Sequence, residues 1–147
     1  MFSMTLDSKG AIARLNIHIQ EIQNNTAAAT EEVGEFLSGK MAEKIATGQL
    51  SPPLDETTVQ KKGSGDILVD TGELLGMITH RENSPMETEV GVFNDAGDQP
   101  RATIAMYHEY GAPAAGIPER SFIRSTAAEN KNQVRKIFKN HTDFSGT

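Results

Sequence analysis

Apolar residues in the first third of the chain recur at helical spacing. In residues 10–24, Ile12, Leu15, Ile19 and Ile22 are separated by 3, 4 and 3 positions, which puts them on one face of a helix. Leu15, Ile17 and Ile19 also alternate, the pattern of a short strand, but the longer run favours helix. Residues 26–47 predict a second helix, with Val33, Leu37, Met41 and Ile45 recurring every four residues. Thr30 is placed to cap it, and Glu31 and Glu32 then fall in the first turn, where the helix dipole favours negative charge. Gly48 is a suitable stop. Gly34 and Gly39 weaken this helix by up to ~1 kcal/mol each and are tolerated where another segment packs closely.

The pattern then lapses. Residues 48–69 form a long polar connection in which Ser51, Pro52 and Pro53 break any helix and 61–66 reads as a turn. Asp70-Thr71-Gly72-Glu73 has capping-box spacing and predicts a short helical turn that buries Leu74, Leu75 and Ile78. Residues 77–82 and 87–93 read as two strands, joined through Asn83-Ser84-Pro85. Val90 and Val92 share one face, with Glu89 and Gly91 on the other. Residues 94–100 are a loop by composition. Residues 102–110 are open between strand and short helix. Residues 111–116 form a loop of small residues, and 117–123 is extended because Pro118 disfavours helix before it. Thr126-Ala127-Ala128-Glu129 is again a capping box, so the last helix is placed from Thr126, with Val134, Ile137 and Phe138 on its apolar face. Its basic end carries Lys136, Lys139 and His141, which suits the dipole.

Helices, a small antiparallel sheet and a C-terminal helix make an α+β fold in one domain, residues 1–147, with loose ends at 1–8 and 142–147. The length suits one domain with its own core. Aromatics are only 5% and Trp is absent. The core must therefore rest on aliphatic residues, Met and Phe, a composition that suits completion by neighbouring subunits. Cys is absent, which removes disulfides, thiolate metal sites and a Cys nucleophile. No apolar run reaches the ~20 residues of a membrane span, and the first ten residues lack the pattern of a signal peptide. A cytoplasmic site of synthesis is expected.

Charge is uneven. Residues 1–116 hold 8 Lys/Arg and 17 Asp/Glu, a balance of −9, and residues 117–147 hold 6 and 3, a balance of +3. An acidic body argues against general nucleic-acid binding. A basic C-terminal arm could dock on an acidic neighbour, or simply be a solvated helix face.

Candidate chemistry is thin. His108-Glu109 resembles the start of a zincin motif, but the residue four after His108 is Ala112, so the second imidazole is missing. His18, His80 and His141 show no ligand spacing to it. The bland alternative has His108 or Glu109 bonding to nearby backbone or to Arg120. Asp70-Thr71-Gly72 is similar to the catalytic triplet of aspartic proteases, which need two such carboxylates sharing a proton; capping explains Asp70 more simply. No Gly-x-Ser-x-Gly elbow occurs. Lys61-Lys62-Gly63-Ser64-Gly65 lacks phosphate-loop order. The basic face of Lys131, Arg135, Lys136 and Lys139 has no interleaved aromatics for stacking bases. No cofactor or metal is expected.

Taken in order, several pieces resemble the virion morphogenesis proteins, or neck and tail-completion proteins, of long-tailed bacteriophages. They are Leu50-Ser51-Pro52-Pro53-Leu54 with Thr57, Thr58, Lys61, Lys62 and Gly63; then Leu68, Asp70, Thr71, Gly72 and Leu74; then the valine strand; then Tyr107-His108-Glu109-Tyr110-Gly111; and last Ile117-Pro118-Glu119-Arg120-Ser121-Phe122. The resemblance spans roughly residues 50–125. Ser121 departs from it, standing where the family usually has Pro.

The resemblance implies a small subunit of a ring, commonly a hexamer, at the head–tail junction of the virion. Such a ring completes or caps the tail, as a tail terminator or head–tail connector does. It meets neighbouring head-completion and tail-tube proteins and lets genomic DNA pass through its lumen without sequence-specific binding. It also implies that Asp70 and Gly72 fix a turn, that Pro118 and Phe122 pack, and that Arg120 pairs with a carboxylate. The loop from His108 to Phe122 and the 51–66 connection would make the subunit contacts. Two other readings remain: a small hydrolase using Asp70 or His108 and Glu109, and a cytoplasmic binding adaptor.

Overall fold

The computed structural model describes residues 8–53, 56, 60, 73–94 and 99–143. Of the expected loose ends at 1–8 and 142–147, Ser8 and Thr142 are helical; residues 1–7 and 144–147, the expected turn at 61–66, and the expected turn at Asp70, Thr71 and Gly72 with Leu68 before it lie outside the described residues. The fold is α+β: helices around one two-stranded antiparallel sheet.

The two N-terminal helices expected from the sequence are one. Helix α1 runs from Ser8 to Ala46, 39 residues, about 58 Å long at the usual rise. Thr30 is not its cap. The Thr30 hydroxyl donates to the Thr26 carbonyl at 2.8 Å, as Thr does within a continuous helix. Asn24, Asn25 and Thr26, where the two expected helices meet, continue the helix without a break. The C-terminal stop falls where expected. Gly48 adopts φ +66°, and the Gly48 and Gln49 N–H groups close on the carbonyls of Ile45 and Lys44. This left-handed cap suits glycine.

Helix α2 (Glu73–Met77) leads into β1 (Ile78–Ser84), which pairs with β2 (Glu87–Val92). Ile78 faces Val92 and His80 faces Val90, with the register shifting between Glu82 and Ser84. Ile78, Val90 and Val92 pack, with Leu74 and Leu75, onto a buried cluster of Met41, Ile45, Leu50, Ala105 and Phe122. The hairpin also lies against α1 at Gly34. A Cβ there would stand 2.6 Å from the His80 ring and 2.9 Å from the Thr88 hydroxyl, whereas one at Gly39 would meet nothing. The two glycines therefore predict opposite signs. Gly39→Ala should stabilise by about 0.5–1 kcal/mol through helix propensity. Gly34→Ala should destabilise by about 1–3 kcal/mol through overpacking, despite the same propensity gain. Urea denaturation of both variants would check the contrast.

The segment left open between strand and helix is helix α3 (Gln99–Tyr110). It takes in Gln99 and Pro100 from the expected loop, since Pro is accepted in a first helical turn. Next comes a 3-10 turn (Pro113–Ala115). Residues 118–121 belong to no helix or strand, and helix α4 (Ile123–Glu129) begins inside the stretch 117–123 expected to be extended, three residues before the expected start at Thr126. Thr126 lies inside α4, 1% exposed. After a break at Asn130, α5 (Lys131–Thr142) runs back along α1. The ammonium of Lys44 meets Glu129 at 2.6 Å and His141 meets Glu32 at 2.7 Å, so the end of α4 and the end of α5 are each pinned to α1. Ile137 is buried in this contact.

Candidate functional site

The sequence pieces that stood out between Tyr107 and Phe122 come together around one carboxylate. Glu109, at the end of α3, is 2% exposed. Its Oε2 accepts hydrogen bonds from the Phe122 and Ile123 N–H groups, both at 2.8 Å. Its Oε1 accepts from the Arg124 N–H at 3.0 Å, the Ser121 hydroxyl at 2.8 Å and the Arg124 Nε at 2.9 Å. Glu109 thus does for α4 what a capping side chain does, but from a different helix. It satisfies N–H groups that have no intrahelical partner and sits at the positive end of the helix. This is why α4 starts at Ile123 and needs no cap from Thr126.

Burial alone pushes the Glu109 carboxyl up. The hydrogen bonds from Ile123, Arg124 and Ser121 outweigh it and hold the group below the usual carboxylate range, ionised at neutral pH. Arg124, half exposed, spans the loop. Its Nη2 reaches the Glu109 carbonyl at 2.8 Å and the Glu119 carboxylate at 2.7 Å, and its guanidinium stacks on the Tyr110 ring. Hydrogen bonds to Glu109 hold its charge above the ordinary arginine range.

The loop between the two helices is closed by backbone. The Arg120 N–H donates to the His108 carbonyl at 2.7 Å, and Ala112 and Ile117 exchange N–H to carbonyl bonds at 2.8 and 3.1 Å. Gly111 turns the chain with φ +76°, and a Cβ there would stand 3.0 Å from the Glu119 nitrogen; both the angle and the space call for glycine. Arg120 is 4% exposed. Its Nε donates to the Pro52 carbonyl at 2.6 Å and its Nη2 to the Pro53 carbonyl at 3.1 Å. Arg120 thus holds the Pro52 and Pro53 carbonyls, and the arginine on the Glu109 carboxylate is Arg124, which the sequence did not single out. Carbonyl clusters left by a Pro-Pro turn have no local donors and draw in a guanidinium.

Phe122 is fully buried against Met41, Ile45, Leu50 and Ala105. Ile117 is partly covered, Pro118 is exposed, and Tyr107 is 41% exposed. Leu74 packs on the core from α2. Leu68, Asp70, Thr71 and Gly72 fall outside the described residues. An open groove of about 550 Å³ runs beside the loop, walled by Pro53, Tyr110, Pro113, Ile117 and Pro118. Among the described residues, no three His, Asp or Glu side chains gather as a metal-holding group, and no helix is long and apolar enough to cross a membrane.

The chemistry this arrangement offers is that of a clasp. Both Glu109 oxygens are filled by donors from 121–124, and Arg120 ties the same loop to Pro52 and Pro53. Comparison with family models, curated proteins and solved structures finds no match to this chain.

Proposed function

We propose that this chain is a structural subunit of a bacteriophage head–tail junction, forming a ring that completes or caps the tail and joins it to the head. Genomic DNA passes through the lumen. The subunit is made in the host cytoplasm and resides in the virion, and it works without catalysis or cofactor. The observation that carries the reading is the convergence of the resembling motifs. Leu50-Ser51-Pro52-Pro53, His108-Glu109-Tyr110-Gly111 and Ile117 to Phe122 lie up to 72 residues apart in sequence, yet they share one clasp through Arg120, Glu109 and Phe122. A set of motifs that serves to hold a loop in shape fits a subunit whose loop is a contact surface. The acidic body fits a lumen that does not hold DNA by charge.

The hydrolase alternative would use Asp70, which lies outside the described residues, or His108 with Glu109 as acid or base. A carboxylate filled by five donors and held in its ionised form has neither a free oxygen nor a poised proton. The experiment is to image phage particles made without this protein. Full heads beside unattached tails are the expected result; intact virions would refute the assignment.

A further inference from the structure

The exposed large apolar side chains of the described residues fall on two surfaces, with Met86 apart at the hairpin turn. The first is the N-terminal part of α1. Ile12, Leu15, Ile19 and Ile22 are 57%, 59%, 41% and 46% exposed, and Ile17 lies on the other side. This stripe is bare because the rest of the domain packs on α1 only from about residue 25 onward. The stripe is nonetheless the same face. Steps of seven carry Ile19 through Thr26 to Val33 and carry Ile22 to Ala29, and Val33 and Ala29 are buried. One continuous apolar face is thus covered by its own domain along half of the helix and left bare along the other half.

The second surface is the outer side of α3, with Ile104, Met106, Tyr107 and Tyr110 between 41% and 61% exposed. Tyr110 continues it into the groove walled by Pro53, Pro113, Ile117 and Pro118. One surface is a convex ridge and the other ends in a concavity. Four large side chains on each surface are 41% to 61% exposed, leaving apolar area on the order of 400 Å², about half of the ~800 Å² per partner of a standard interface, in which a little over half of the area is apolar. α1 is unbroken from Ser8 to Ala46, so the arm cannot fold back onto the α3 of its own chain.

We infer that the arm of α1 in one copy seats on the α3 face and loop groove of the next copy. This rests on the ring reading above and specifies its contact. Two different surfaces pairing head to tail make a heterologous interface, which closes into a ring where the rotation allows. The Glu109 clasp then serves the contact by fixing Tyr110 and the Pro113–Ala115 turn that form the receiving wall.

The natural absence of Cys makes the test direct. Leu15→Cys and Tyr107→Cys are both at exposed positions. Mixed and oxidised, the two single variants should give crosslinked dimers, and the double variant a ladder ending at the ring size. Each single variant alone should stay uncrosslinked. Leu15→Asp with Ile19→Asp should reduce the light-scattering mass to one subunit with an unchanged circular dichroism spectrum. Dimers from Leu15→Cys alone would overturn the inference in favour of arm-to-arm pairing. A monomeric wild-type chain at high concentration would overturn it as well. Oligomers that survive the aspartates without crosslinking would refute this contact while leaving a ring intact. Crosslinked rings from a protein that virions assemble without would keep the contact and remove the head–tail assignment.

Discussion

Glu109→Ala should cost about 3–5 kcal/mol, because it strips the acceptor from three backbone N–H groups, a buried hydroxyl and a guanidinium at once. Chemical denaturation would read it as a drop in midpoint. Glu109→Gln keeps an acceptor oxygen in place but loses the charge, so its loss should be smaller. Glu109→Asp is one methylene short and should fall between. Equal losses in all three variants would mean that packing, and not the acceptor set, holds the loop.

The same carboxylate sets a pH dependence. Its folded pKa lies below that of the unfolded chain, about 4.3 for a free Glu. Its contribution is therefore fully present above that value and is lost as pH falls through the folded pKa. Thermal unfolding followed from pH 7 to pH 3 should show stability falling in the acid range, and Glu109→Gln should flatten that fall. Glu89 is shifted in the same direction by its hydrogen bonds to Arg81 and Asn83, but it is a surface pair and should contribute little.

The second large effect is expected from Phe122→Ala, at about 3–5 kcal/mol for a fully buried aromatic. Phe122, the residue before α4, joins that helix to Met41 and Ile45 on α1 and to Ala105 on α3. A cavity there should loosen the start of α4 as well as the core. Hydrogen exchange at the Ile123 and Arg124 amides should accelerate in this variant. Phe122→Leu should recover most of the stability, since a hydrophobe of similar reach leaves the smaller void.

Much of the architecture was legible in the sequence because its signals are local. Val90 and Val92 alternate, so the hairpin is visible; Val33 to Ile45 repeat every four, so that half of α1 is visible; Gly48 ends it. The misreadings arose where the deciding contact is distant. Thr126 has the spacing of a capping box, but α4 is capped by Glu109, 14 residues before Ile123, and no local pattern encodes that. Thr30-Glu31-Glu32 looks like a helix start because a capping threonine and one bonded back to a carbonyl four residues earlier are the same letter. The stripe at Ile12 to Ile22 was legible as one face of a helix, but periodicity does not say what covers that face. Within the site, Glu109, Arg120 and Phe122 could be chosen from their motif, while Arg124 could not. The signal that could have found it is the demand of a buried carboxylate for a cationic donor near the end of the same segment.

A helix without a break also has no hinge. Ile12 and Ile45 are joined by some 50 Å of unbroken backbone hydrogen bonding, whereas two helices at 10–24 and 26–47 would have met at a joint near Asn25. An unjointed rod cannot let its tip settle onto one surface while its base turns freely. Any tilt imposed at Leu15 reappears at Lys44, and from there in α4, whose last turn Lys44 grips through Glu129. The angle between successive copies would thus be set by the rigidity of a single element and not by the softness of a linker.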